Sequence, residues 1–282
     1  MSNSLRIGEA EVLPLSDGYL ELGASELFPE TGEADWAPYR EALTPERRLQ
    51  LQFGSFLIRS GGRLVLVDTG VGGREGRRMG ETPMRYGELL DDLSRAGVQP
   101  EEIAYVVNTH LHFDHVGWNT IDVDGEPVPT FPQARYVIQR EEWDHWTGLE
   151  RLPRYVSECA QPLQRAGRLH LVRGEQRLTP DVTVWPTPGH TPGHQSILVR
   201  SGGEGALITG DTFYTPAQVA HPDWQGGMDR DRELACASRG AILDRIESEG
   251  LRMAAGHFYP ECFGRVLRLD GRRYWTGAAD SG

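Results

Sequence analysis

Six residues before the middle of the chain limit its possible folds more than any other stretch. His110-Leu111-His112-Phe113-Asp114-His115 packs three imidazoles and a carboxylate together. These donor types suit zinc, and also manganese, iron or cobalt. In an extended segment His110 and His112, two apart, point to one side and can grip one ion, while Asp114 and His115 face a second. Two ions at this run are therefore plausible.

Three other segments share the layout of this one, a short apolar or β-rich run that stops at a His or Asp in a polar or Gly-containing loop. Ala104-Tyr-Val-Val-Asn-Thr precedes His110, Val182-Thr-Val-Trp precedes Gly189-His190, Ala206-Leu-Ile-Thr precedes Gly210-Asp211, and Leu251-Arg-Met-Ala-Ala precedes Gly256-His257. Side chains at the ends of neighbouring strands can converge on one point, whereas mid-strand side chains alternate between faces. His190, Asp211 and His257 are thus the candidates to join the His110–His115 run in a site built from loops.

The remaining pattern interleaves strands and helices. Strand-like runs at Glu11–Pro14, Gly18–Leu22, Phe53–Arg59 and Arg63–Asp68 open the chain, the last two joined by a Gly61-Gly62 turn signal. Tyr86, Leu89, Leu90 and Leu93 have helical spacing and predict a helix over Pro83–Ala96, ending at Gly97. Further helices are expected near Arg140–Trp146, Arg154–Ala166 and Asp231–Glu249. A length of 282 residues suits two ordinary domains or one large layered domain, and one domain over 1–282 is the expectation.

Composition narrows the chemistry. The formal net charge of -12 disfavours a nucleic-acid partner, which needs a basic face. All 29 basic residues are arginine, so a lysine Schiff base or lysine general base is excluded. No run approaches the length of a membrane span, no secretory signal is visible, and Cys159, Cys236 and Cys262 are widely spaced, so a cytoplasmic enzyme with idle thiols is expected. No Gly-x-Ser-x-Gly elbow suggests a covalent intermediate.

The order and spacing from Leu66-Val-Asp68-Thr-Gly70, through His110–His115, Thr187-Pro-Gly-His-Thr-Pro-Gly-His194 and Leu207-Ile-Thr-Gly-Asp-Thr, to Ala255-Gly-His-Phe resemble the metallo-β-lactamase superfamily. The resemblance implies an α/β fold, a four-layer αββα sandwich with the site along one edge of the facing sheets. It also implies that His110, His112 and His190 hold one metal ion, Asp114, His115 and His257 hold a second, and Asp211 bridges them. Two divalent ions follow, zinc before manganese, iron or cobalt. The chemistry expected of such a pair is attack on a carbonyl or phosphoryl centre by a bridging water deprotonated near neutral pH, with Asp114 relaying the proton. His194 and Asp68 are expected in supporting roles, His194 within the loop that aims His190 and Asp68 behind a ligand histidine.

Departures within the superfamily point to the substrate. Asp211 stands where one zinc β-lactamase subclass has cysteine, the tail after His257 is too short for the helical domain of glyoxalase II, and the acidic chain disfavours RNA processing. Tyr214, three residues after Asp211, matches the offset of a tyrosine in the acyl-homoserine lactonases whose hydroxyl assists at the substrate carbonyl; it could donate to an oxyanion or merely pack a loop. A hydrolase opening lactones or cleaving small-molecule esters is the first reading. His221-Pro-Asp-Trp224 through Asp229 and Asp231 is similar to the methyl parathion hydrolase branch, which makes a phosphotriesterase the alternative, ahead of a β-lactamase or a non-hydrolytic metal scaffold. A homodimer is implied by the resemblance alone. Tyr19–Trp36, rich in Leu, Phe and Trp, is read either as a wall of an apolar acyl pocket or as a dimer arm.

Overall fold

The computed structural model describes residues 4–79, 82 and 84–277. Side-chain alternation along its strands sorts the apolar residues into layers. Val65 and Val67 face one way and Leu64 and Leu66 the other, and Ile197 and Val199 likewise oppose Leu198. The inward set, with Val12, Ile58, Val107, Val137, Val182, Val184 and Ile208, forms a core shared by two sheets. The outward sets are each covered by helices. Leu57, Leu66, Val106 and Tyr136 pack on Leu89, Leu93 and Leu163, while Leu198, Leu207 and Met253 pack on Ile242, Leu243 and Ile246. Helix, sheet, sheet and helix are the four layers expected of an αββα sandwich.

Among the described residues the first sheet has eight strands, with Leu5–Ile7, Ala10–Gly23, Arg48–Ser60, Arg63–Val67, Ile103–Val107, Arg135–Gln139 and Leu169–Val172 in spatial order and Met84–Tyr86 added beside Ala10–Gly23. The second has seven, running Gln176–Arg177, Val182–Pro186, Gln195–Ser201, Glu204–Ile208, Arg252–Ala254, Phe263–Leu269 and Arg272–Gly277. Register places the loops. Val67, Val107 and Val137 lie abreast in parallel strands of the first sheet, and Ile208 lies beside Ala254 in the second. The residues that follow, from Asp68, Asn108, Thr209 and Ala255 onward, therefore leave the two sheets along one common rim.

Local chemistry explains where elements begin and end. Gly61 and Gly62 take φ of 54° and 74°, the backbone a two-residue hairpin demands. The helix Arg232–Glu249 starts where the Asp231 carboxylate accepts from Leu234 N at 3.0 Å and stops at Gly250, φ 62°.

Three expectations are corrected. The runs at Glu11–Pro14 and Gly18–Leu22 are one strand, Ala10–Gly23, with a register shift between Ser16 and Tyr19 that absorbs Gly18. The helix predicted over Pro83–Ala96 is confined to Leu89–Arg95; Met84–Tyr86 pairs instead with Gly18–Leu20, and Pro83 itself lies outside the described residues. The buried Asp17 carboxylate sets that boundary by accepting from Leu89 N at 2.9 Å and Gly87 N at 3.2 Å. The helix expected over Arg154–Ala166 breaks at Ala160 into Arg154–Cys159 and Gln161–Arg165, because Pro162 has no N–H to continue the ladder.

Candidate metal centre

The strand Ile103–Val107 delivers the chain to a loop whose shape is imposed by one carboxylate. Asp68, at φ 58°, accepts from Thr109 N at 2.7 Å and from Thr109 Oγ1 at 2.8 Å, and its Oδ2 takes His115 Nδ1–H at 2.9 Å. It thus fixes the first turn of the loop at Thr109 and the orientation of the His115 ring six residues beyond. His112 precedes the short helical turn Phe113–Val116, which swings Asp114 and His115 to the far side of His110. Gly189, φ 134°, permits the second loop, since a Cβ there would meet Ala235 N at 2.2 Å. Buried Glu142 binds the two loops together by accepting from Leu111 N at 2.9 Å and Gly193 N at 3.0 Å.

All seven residues singled out by the sequence converge. His110 Nε2, His112 Nδ1 and His190 Nε2 stand 2.8 to 3.1 Å from one another. Thr109 Oγ1 sits against His110 Nδ1 at 3.0 Å after donating its own proton to Asp68, which leaves His110 Nε2 as a lone pair. On the other side, His115 Nε2 and His257 Nε2 lie 3.1 and 3.0 Å from Asp211 Oδ1, and all three of these buried atoms lack a hydrogen-bond partner. Asp114 Oδ2 is 3.6 Å from His115 Nε2. Asp211 Oδ2 turns to the first set, 3.4 Å from His190 Nε2 and 3.8 Å from His110 Nε2. One carboxylate oxygen therefore faces each set, the arrangement a shared ligand needs.

Orphaned polar atoms this deeply buried are costly unless a cation joins them. The residues fit two divalent metal ions, one among His110, His112, His190 and Asp211 and one among Asp114, His115 and His257. Burial, reinforced by neighbouring imidazoles, holds His110 and His112 well below the ordinary histidine range, so both offer neutral rings. Burial also pulls His115 and His257 down, but the Asp211 and Asp114 carboxylates outweigh it and hold both above that range.

His194 supports the centre by a longer reach than its own loop. Its Nδ1 meets Thr187 O at 3.1 Å and Thr187 Oγ1 at 2.9 Å, and its Nε2 accepts from Asp211 N at 3.0 Å, so it aims Asp211. Burial pushes its pKa down to about 3, which keeps Nε2 an acceptor. Tyr214 is wholly buried behind His190, with its hydroxyl 2.7 Å from His190 Nδ1 and 3.0 Å from Asp229 Oδ1.

Above the centre opens a cleft of about 340 Å³, lined by Leu20, Leu51, Met79, Phe113 and Met228 over His112, Asp114, Asp211 and His257. The Tyr19–Trp36 segment contributes Leu20 to this wall, while Phe28 and Trp36 are buried against Trp224 and Tyr214 of the same chain. Asp17, Glu142 and Arg239 escaped the sequence reading, which met Asp229 only as part of the stretch similar to the methyl parathion hydrolase branch. Arg239 left a signal, a charged residue in the buried stripe formed with Ala235, Ile242 and Ile246.

Known proteins repeat this architecture. An N-acyl homoserine lactonase of Bacillus sp is 29% identical over 236 residues, covering 79% of this chain and 88% of that protein. The structure of AidC, a dizinc quorum-quenching lactonase in complex with a product, superposes with a TM-score of 0.81 at 23% identity, over 98% of this chain and 97% of that one. That of AbOPH, a hydrolase in the beta lactamase superfamily, gives 0.83 at 24% identity with the same coverage. A family model describing the metallo-beta-lactamase superfamily matches residues 55–257, the span from within the strand Arg48–Ser60 to His257, and the chain belongs to that superfamily.

Proposed function

We propose that this protein is a dinuclear zinc hydrolase that opens the ring of N-acyl-homoserine lactones. The observation that carries the reading is the juxtaposition of a complete two-metal ligand set with a cleft walled by Leu20, Leu51, Met79, Phe113 and Met228. A neutral lactone with an aliphatic acyl chain matches both halves, an ester carbonyl for the polar floor and methylenes for the walls. The curated lactonase relative of Bacillus supports the same substrate class.

Bound among these ligands, two zinc ions supply Lewis acidity and a water acidic enough to act near neutral pH. The chain's own groups do the rest. Asp211 spans both sets and holds their spacing, with His194 fixing its backbone. Asp114, in the cleft floor and only slightly exposed, holds the proton released on attack and returns it to the departing ring oxygen. The apolar walls seat the acyl chain and exclude water from the carbonyl. Three free cysteines agree with a cytoplasmic location, and a homodimer is the assembly we expect.

Steady-state kinetics on metal-quantified enzyme test the reading. Acyl-homoserine lactones should exceed a paraoxon-type phosphotriester by orders of magnitude in kcat/KM. A faster phosphotriester would favour the methyl parathion hydrolase resemblance, and turnover of neither would remove both.

A further inference from the structure

His190 differs from its partners in what stands behind it. His110 Nδ1 rests on a single threonine hydroxyl and His257 Nδ1 on the Gln52 carbonyl at 2.7 Å. Behind His190 lies a chain of buried groups. Its Nδ1 is 2.7 Å from the Tyr214 hydroxyl and 3.3 Å from Asp229 Oδ1, and the hydroxyl donates to that same oxygen at 3.0 Å. Asp229 Oδ2 accepts from Arg239 Nη1 at 3.1 Å, and both side chains are 0% exposed. The guanidinium also donates to Pro222 O at 2.9 Å, Trp224 O at 3.1 Å and Thr212 O at 3.3 Å.

A buried Arg–Asp pair is a poor way to gain stability, because desolvating both charges offsets most of their attraction. This one is aimed at a metal ligand. We infer that Tyr214, Asp229 and Arg239 form a positioning relay for the ion held by His110, His112 and His190. The Asp229 carboxylate, directly and through the Tyr214 hydroxyl, keeps the proton of His190 on Nδ1, so that Nε2 presents its lone pair to the ion. Arg239 holds that carboxylate in place and ties it to the carbonyls of Pro222 and Trp224. Met228, next to Asp229 in the chain, lines the cleft, so one anchor sets both a metal ligand and a wall of the substrate site.

Tyr214 in this arrangement is a positioning residue. Its ring is stacked on His257 with centroids 5.8 Å apart, it does not line the cleft, and its hydroxyl is committed on both sides. The relay acts on the metal site whatever the substrate, so it fails or survives independently of the lactonase reading.

Zinc titration of the metal-depleted full chain against a competing chelator provides the test, with the occupancy of each ligand set read by anomalous scattering at sub-stoichiometric zinc. Asp229→Asn should weaken zinc at the His190 set by about 10- to 100-fold and leave the His257 set unchanged. Tyr214→Phe, in which Asp229 can still reach His190, should show a smaller loss at the same set. If Asp229→Asn cannot fold around the unpaired Arg239, Tyr214→Phe decides alone. Zinc binding of wild-type strength at both sets, or equal loss at both, would overturn the relay. A Tyr214→Phe variant with unchanged zinc affinity and a lowered turnover number would move the hydroxyl to the substrate carbonyl, and would overturn it too.

Discussion

The two halves of the metal centre are built on different electrostatic plans. In the His110, His112 and His190 set burial keeps the rings of His110 and His112 neutral, and the most elaborate backing is the Asp229–Arg239 ion pair, whose carboxylate meets His190 directly. The Asp114, His115 and His257 set carries its own carboxylate, and its rings are backed by Asp68 and by a backbone carbonyl. Both sets are buried and both are backed across long stretches of chain; in the first the backing of His190 is a buried ion pair, in the second it is a lone carboxylate, Asp68, and the carbonyl of Gln52. Asp211 belongs to both, which makes it the position where the two plans depend on each other.

The largest effect is therefore expected at the shared residue. Asp211→Ala should lower kcat/KM by more than the roughly 100-fold that an outer partner costs, with zinc content falling below two per chain. Two bound ions and retained turnover would dissolve the two-set description. Next comes Asp68→Asn, the mirror of the Asp229 experiment: it should lower zinc affinity at the His257 set by about 10- to 100-fold and spare the His190 set. Loss at the His190 set instead would mean that the loop, not the ring of His115, is what Asp68 serves.

Acidity should separate the halves as well. Without metal, the raised pKa of His115 and His257 means that their protonated forms stabilise the folded chain below the ordinary histidine value, and that this contribution is lost as pH rises through the raised folded values. Zinc must displace those protons, so affinity at the His257 set should climb with pH more steeply than at the His190 set, whose His110 and His112 are already neutral. Calorimetry in buffers of different ionisation enthalpy would count the protons released; equal counts at both sets would erase the distinction.

Smaller effects follow from the parts that hold or surround both halves. Glu142→Gln disturbs acceptors for Leu111 N, Gly193 N and the Trp146 indole, and should cost about 1–3 kcal/mol in chemical denaturation. Met228→Ala should leave short-chain lactones nearly unaffected and weaken kcat/KM for long-chain ones by roughly 1–3 kcal/mol. An equal effect on both would remove Met228 from the acyl wall.

Legibility tracked distance along the chain. His110 to His115 announce themselves because six residues carry four donors, and His190, Asp211 and His257 because each ends a strand-like run. Asp229 and Arg239 do not, because neither ends a strand-like run, and the contacts of Asp229 with His190, 39 residues upstream, and of Arg239 with Asp229 exist only in space. Tyr214 was visible as a residue of interest, but which way its hydroxyl turns depends on Phe28, Trp224 and His257 packed around its ring. The helix over Pro83–Ala96 was overestimated for a similar reason. Helical spacing from Tyr86 to Leu93 is genuine, yet strand pairing with Gly18–Leu20 and the Asp17 carboxylate, both distant in sequence, claim its first turn.

By itself the sequence determined the interleaving of strands and helices and the donor inventory, while the four-layer arrangement came from the resemblance to the superfamily. Alternation along a strand and the chemical type of a side chain are local properties that survive without knowledge of neighbours. Only the tertiary structure decided which oxygen of Asp211 faces which set, that His194 aims Asp211, and that a buried arginine stands behind His190. Hydrogen bonds act over about 3 Å in space with no memory of sequence separation, so these assignments exist only once the two sheets have closed on their common core.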